Sequence, residues 1–286
     1  MKLLTRSSLF FSCAILSVSA QSIVLPRQSP AASVSQTFAY TTATVTYGRP
    51  AVKGRVIWGG VVPYGQVWRA GANEATDVEF TTDVTVNGQP LPKGKYALFV
   101  LPEKTGWTFI FDSNPNVWGA FSYDGQHDVA RVKVKPVRIP HQERLEYTFE
   151  DVTDSSAVLS LQWEKMRASL KIQAEFLETA KASILQGIPN VKAGDPFPWL
   201  NAARFFWTYD LDRPRALAWI EKSIQARPLY LNLWTKAEWL AEEKQYAAAV
   251  ETGRRAWLEA AKDSSLEGQI PMLDRKLKAW GKKAKK

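Results

Sequence analysis

Short runs of alternating apolar and polar residues dominate the chain from Ser33 to about Ile172. Valine, threonine and aromatic residues recur at every second position, and turn residues separate the runs, which is typical of antiparallel strands. The clearest hairpin signal is Asn87-Gly88, because both residues tolerate the positive φ of a two-residue turn. About ten such runs without intervening helical patterns predict a β-sandwich over residues 33–173.

After Ile172 the apolar residues recur at helical spacing, beginning with a run from Phe176 to Leu185. Two helical pairs and a final helix are then predicted at about 199–209 with 215–226, 231–243 with 247–261, and 271–280. Ala216 and Ala249 lie 33 positions apart, close to the tetratricopeptide repeat length of about 34. The predicted fold class is therefore α+β multidomain, with an antiparallel β-sandwich followed by an α-helical hairpin or tetratricopeptide-like domain at residues 174–280.

Residues 1–20 have the pattern of a signal peptide. Lys2 and Arg6 precede an apolar run that is too short to span a bilayer, and small residues before Gln21 suit a signal peptidase. We expect an exported protein, periplasmic or secreted, that begins with a flexible leader at residues 21–32. Cleavage would remove Cys13, the single cysteine, whose surroundings fit a lipoprotein acylation site poorly.

The chain is basic, with a formal net charge of +9, of which two charges lie in the predicted signal peptide. Part of the remainder comes from a basic tail at residues 281–286, which is typical of a solvated terminus, with contact to nucleic acid or anionic lipid as the alternative. The basic residues are not interleaved with aromatic ones, so we predict no nucleic-acid partner. No later segment is apolar enough to predict an integral membrane helix.

The segment from Val61 to Thr76 is the most unusual, because it combines glycines with polar and aromatic residues and has few strand signals. We predict that it lines a pocket for a small molecule, glycan or peptide, with two residues from later segments beside it. The predicted ligand-binding residues are Tyr64, Trp68, Arg69, Asn73, Glu74, Trp118 and His127. In this hypothesis Arg69 binds a carboxylate, Glu74 acts as an acid or base, and Trp68 stacks on a ring face.

A structural role for the same segment is the alternative interpretation. In that case Arg69 and Glu74 form a buried pair that fixes the loop, and Trp68 belongs to the core. Loss of Glu74 distinguishes the two interpretations. It would lower stability if Glu74 belongs to a structural pair, and it would lower ligand affinity if Glu74 lines a pocket.

Few residues of the chain suit catalysis. His127 and His141 are the only histidines, the mature chain would have no cysteine, and no Gly-x-Ser-x-Gly elbow or phosphate-binding loop is present. We therefore predict no metal site and no cofactor, although a turn at Asp151 and Asp154 offers a calcium alternative. Glycosidases need only two carboxylates, so a hydrolase that uses Glu74 with Asp124 or Asp128 remains an alternative.

Several motifs of the β-rich region resemble one bacterial family, domain of unknown function 2911, over about residues 30–173. They are Thr46-Tyr47-Gly48-Arg49-Pro50, Trp58-Gly59-Gly60-Val61-Val62-Pro63-Tyr64-Gly65, Val67-Trp68-Arg69-Ala70-Gly71-Ala72-Asn73-Glu74-Ala75-Thr76, Trp118-Gly119-Ala120-Phe121-Ser122-Tyr123-Asp124 and Phe149-Glu150-Asp151-Val152-Thr153-Asp154. The resemblance implies an exported β-domain and implies no reaction.

Three functions follow as hypotheses. The pattern favours a non-catalytic binding module, with a ligand at the 61–76 segment and a protein partner on the helices. The first alternative is a carboxylate-dependent hydrolase acting on envelope or extracellular polymers. The second is a structural or scaffold protein that binds partners through its helical domain.

Overall fold

The computed structural model describes residues 25–115 and 117–285. The predicted signal peptide at residues 1–20, its cleavage site before Gln21 and Cys13 lie outside these described residues. The chain divides into two compact units between Ala174 and Glu175.

The described part of the first unit consists of strands in two antiparallel sheets. The strands are β1 (Ala31–Phe38), β2 (Thr41–Gly48), β3 (Thr76–Phe80), β4 (Val84–Val86), β5 (Gln89–Leu91), β6 (Gly94–Pro102), β7 (Trp107–Asp112), β8 (Asp128–Val134), β9 (Val137–Glu150) and β10 (Ser156–Ala174). One sheet has the order β1-β2-β3-β6-β7-β8 and the other β5-β4-β10-β9. The predicted arrangement of an antiparallel β-sandwich followed by helices is confirmed.

One core lies between the two sheets because each contributes the apolar side chains of its inner face. Phe109 and Phe111 of β7 meet Leu159, Leu161 and other inward residues of β10 in a single buried cluster. The apolar and polar residues that alternate in the sequence correspond to the buried and more exposed positions along these strands.

β10 is longer than the sequence pattern indicates. Two separate runs, 158–163 and 168–172, form one strand because register shifts against β9 accommodate the intervening residues. Glu164 sits at the irregularity with a φ of 56°. This bulge follows directly on Trp163, which is buried with 1% exposure.

The second unit is helical among its described residues. Its α-helices are α1 (Leu177–Gly187), α2 (Phe197–Thr208), α3 (Arg213–Ala226), α4 (Tyr230–Glu242), α5 (Tyr246–Ala260) and α6 (Ile270–Lys283), with 3₁₀ turns at Ile188–Asn190 and Ser264–Gln269. Their apolar faces share a core in which Trp207 and Trp239 stack at 4.5 Å. In the part of the chain that the structure describes, no helix has the length and apolar character needed to cross a bilayer.

Candidate functional site

A cleft of about 520 Å³ opens beside the long segment that joins β2 to β3. The leader, two stretches and one further residue of this segment, and one residue of β10 form its walls. It is lined by Gln28, Ser29, Pro50, Ala51, Lys53, Arg55, Val61, Trp68, Arg69, Gly71, Ala72, Asn73 and Trp163. Three of the predicted site residues, Trp68, Arg69 and Asn73, therefore meet in one cavity.

Buried hydrogen bonds fix the 68–76 stretch against the sandwich. The Ala70 carbonyl accepts from the hydroxyl of Tyr147 at 2.9 Å and from that of Thr76 at 3.0 Å. Full burial raises the pKa of Tyr147, so its hydroxyl remains a donor at physiological pH. Trp68 also exchanges both backbone hydrogen bonds with Val100, which anchors the stretch to β6.

Gly48 at the end of β2 is in close contact with this stretch. A Cβ at Gly48 would stand 2.2 Å from the Ala72 carbonyl oxygen, far inside any contact that real Cβ atoms make. The backbone that carries Asn73 therefore requires glycine at position 48.

Substitution of Gly48 by alanine is expected to displace Ala72 and to lower the free energy of unfolding by about 1–3 kcal/mol, as overpacking does. Urea denaturation measures the effect. Gly187→Ala is the matched control, because a Cβ there meets nothing within 4 Å. An unchanged free energy of unfolding in Gly48→Ala would contradict the close approach of Gly48 to Ala72.

Two tryptophan rings form the apolar side of the cleft. Trp68 and Trp163 stack at 5.9 Å with their planes 20° apart, and Trp58 contacts both rings edge-on. The Trp68 indole N–H donates to the Gly71 carbonyl, which fixes that ring. Trp68 is partly exposed and presents aromatic surface to whatever enters the cleft, and Trp163, 1% exposed, supports it from beneath.

The charged side chains that line the cleft are all cations, namely Lys53, Arg55 and Arg69. Arg55 donates to the carbonyls of Val52 and Ala51, so no carboxylate neutralises it through these bonds. The positive charge of the lining favours an anionic occupant.

Two lining residues keep buried donors without a hydrogen-bond partner among the described protein groups. They are the Nε of Arg69 and the indole Nε1 of Trp163, and the neighbouring Trp58 has a third such donor. Buried polar groups in folded proteins are almost always paired, so such atoms mark places where a further acceptor fits.

Four predicted site residues are not among those that line the cleft. Tyr64 packs its ring against Gly59 and is 39% exposed, and Trp118 is 60% exposed. The exposed His127 precedes β8, where its backbone carbonyl accepts from Ser113. The turn that carries Trp118 nevertheless approaches the cleft, because a Cβ at Gly119 would stand 2.8 Å from Nη1 of Arg69.

The cation that pairs with Glu74 is Arg27, and not Arg69 as the structural interpretation predicted. The Glu74 carboxylate forms an exposed ion pair with Arg27 of the leader, in which Nη1 of Arg27 donates to both carboxylate oxygens at 2.8 and 2.9 Å. Arg27 lies 47 residues away in sequence, so no local pattern indicates this partner. Asn73 adds a hydrogen bond to the Ser29 carbonyl, and together these contacts hold the leader against the wall of the cleft.

The hydrogen bond from its own backbone N–H and the contact with Arg27 lower the pKa of Glu74 below its ordinary value of 4.5. A carboxylate whose pKa is lowered by folding stabilises the folded state at pH values above its unfolded-state pKa. This stabilisation is lost as the pH falls through the folded-state pKa. The Arg27–Glu74 pair is thus complete at neutral pH and released only in acid.

Substitution of Glu74 by glutamine is expected to accelerate trypsin cleavage after Arg27 by up to about fivefold, since exposed ion pairs contribute little. Mass spectrometry of timed digests at neutral pH measures the rate. Glu79→Gln, an exposed carboxylate on β3, is the control. Equal cleavage rates for Glu74→Gln and the unmodified protein would show that the pair does not hold the leader.

Sequence reasoning missed Lys53, Arg55 and Trp163 as lining residues. Lys53 and Arg55 lie outside the 61–76 segment, and Trp163 has the pattern of an ordinary strand residue. The described residues contain no group of three or more His, Cys, Asp or Glu placed to hold a metal ion.

A family model described as "Protein of unknown function (DUF2911)" matches residues 29–172, which contain every residue of the cleft except Gln28. No curated protein and no solved structure matches the chain.

Proposed function

This chain belongs to the DUF2911 family of proteins of unknown function, and we propose that its β-sandwich is a non-catalytic module that binds a small anionic ligand. The ligand carries a carboxylate or phosphate and an apolar ring face. The cleft around Arg69 and the Trp68–Trp163 pair is the binding site.

The observation that carries this proposal is the unpartnered donor on Arg69. Its Nε is buried and has no hydrogen-bond partner among the described protein groups, although leaving such a group unpaired costs about 1–3 kcal/mol. A ligand oxygen at this atom would form a charge-assisted hydrogen bond, and the indole N–H of Trp163 offers a second donor. Both groups donate, so the complementary ligand group is an acceptor.

Charge and shape support the same ligand class. Lys53 and Arg55 add positive potential at the cleft without a carboxylate among the lining residues. The partly exposed ring of Trp68, backed by the buried ring of Trp163, suits an apolar face such as an aromatic ring or the face of a sugar. A volume of about 520 Å³ lies within the range of small-molecule sites, about 300–1,000 Å³.

The hydrolase alternative finds no support at the cleft. A glycosidase places two carboxyl groups across its cleft, and the lining residues here include neither Asp nor Glu. Glu74, the predicted acid or base, is exposed and paired with Arg27. Binding without catalysis therefore accounts best for the residues present.

A thermal-shift screen with matched ligand pairs tests the proposal. Each acid, such as an aromatic carboxylate, an acidic sugar or a sugar phosphate, is compared with its neutral ester, amide or parent sugar. Binding to the native state raises its stability by about 2.7 kcal/mol at a concentration 100-fold above Kd. We expect shifts with acids alone. Equal shifts with acids and their neutral partners would contradict the proposed role of Arg69.

A further inference from the structure

A second concentration of unpaired positive charge lies in the helical unit, between α5 and α6. A groove of about 340 Å³ there is lined by Val250, Arg254, Leu277, Lys278, Gly281, Lys282 and Lys285. We call it the basic groove. Four of its seven lining residues are cations and none is a carboxylate.

Helix geometry brings these cations together. Lys278 and Lys282 lie at i and i+4 on one face of α6, and Lys285 follows two residues after the helix ends at Lys283. Gly253 lets α5 approach that face closely, because a Cβ there would stand 2.7 Å from a methyl of Leu277. Arg254 consequently joins the lysines across a narrow gap that Gly281 leaves open.

The groove cations differ from the neighbouring lysines of α6 in having no ion-pair partner within the part of the chain that the structure describes. Lys276 forms an ion pair with Glu238, and Lys283 lies over the ring of Tyr246 at 5.1 Å. Among residues 25–115 and 117–285, no ion pair involves the four cations of the basic groove. Their charge is thus available to an external anion.

We propose that the basic groove binds the phosphate headgroups of an anionic phospholipid membrane surface. The guanidinium of Arg254 suits a phosphate through two parallel hydrogen bonds, and the lysines add charge around it. Clusters of about four to eight basic residues on a helix are typical of binding to anionic lipids. Val250 and Leu277 provide an apolar floor for the carbon atoms next to a headgroup.

The same features disfavour nucleic acid as the occupant. Single strands bind by stacking their bases on aromatic side chains, and no lining residue of the basic groove is aromatic. The apolar face of α6 is occupied within the helical core, where Leu273 and Trp280 are buried, so the helix lies on the membrane without inserting. Attachment is therefore electrostatic and falls with added salt.

Vesicle co-sedimentation of the purified chain tests the proposal. Vesicles of phosphatidylcholine alone are compared with vesicles containing equal parts of phosphatidylcholine and phosphatidylglycerol. Each cation near an anionic surface is worth about fivefold in affinity, so Arg254→Gln with Lys282→Gln is expected to weaken binding by about 25-fold. Lys192→Gln with Lys222→Gln removes the same charge outside the basic groove and is expected to bind like the unmodified protein.

Each other outcome overturns the proposal. The proposal is wrong if the protein does not bind phosphatidylglycerol vesicles at low salt. It is also wrong if the groove variant binds these vesicles as tightly as the unmodified protein. If glycerol phosphate at the same headgroup concentration raises the melting temperature as much as vesicles do, the basic groove binds a soluble phosphate. If the groove variant loses single-stranded DNA binding while vesicle binding persists, the occupant is nucleic acid. Circular dichroism confirms that each variant keeps its helices.

Discussion

Replacement of Trp163 by alanine is expected to lower the free energy of unfolding of the β-sandwich by about 3–5 kcal/mol. Trp163 is 1% exposed, and its ring lies 5.9 Å from that of Trp68 and 6.1 Å from that of Trp58. Its removal takes a large ring out of the core and leaves a cavity that the rigid neighbouring rings cannot fill. Urea denaturation followed by circular dichroism measures the loss.

Trp118→Ala is the matched control, because the same substitution at a ring that is 60% exposed is expected to change stability by less than about 0.5 kcal/mol. Equal effects at the two positions would contradict the role of Trp163 as the buried floor of the cleft. Trp163→Phe is expected to fall between the two, since it keeps an aromatic ring but removes the unpartnered N–H.

Replacement of Arg69 by methionine is expected to weaken binding of an acidic ligand by about 10- to 100-fold, through the loss of its charge-assisted hydrogen bonds. Stability is expected to stay the same or to rise, because the substitution removes a buried donor that no described protein group pairs. Calorimetric titration with a ligand from the thermal-shift screen measures the affinity, and urea denaturation measures the stability.

Arg138→Met, at an exposed position of β9, controls for the change in net charge and is expected to leave binding intact. A large stability loss in Arg69→Met would show that Arg69 contributes to the fold. Retained affinity would show that the anionic group lies elsewhere. The two measurements together therefore separate a binding residue from a structural one.

The fold follows largely from local patterns in the sequence. Alternation along β2 and β8 predicts strands because one face of each is buried, and apolar spacing predicts helices where α2 to α5 lie. The continuous β10 was harder to predict, since its two apolar runs are joined across a bulge at Glu164 that only pairing with β9 supports.

The candidate site was partly predictable. Trp68, Arg69 and Asn73 stood out because polar and aromatic residues accumulate between glycines in one segment. The pairing of Glu74 with Arg27 and the contribution of Trp163 depend on contacts between distant parts of the chain. No local pattern encodes such contacts, so the sequence placed Glu74 in the pocket and left Trp163 out.

A crystal structure of the protein with an acidic ligand from the screen tests whether Arg69 binds the anionic group. We predict a ligand oxygen within about 3 Å of Arg69 Nε and an apolar face against Trp68. A ligand bound outside this cleft, or one whose acidic group faces solvent away from Arg69, would contradict it.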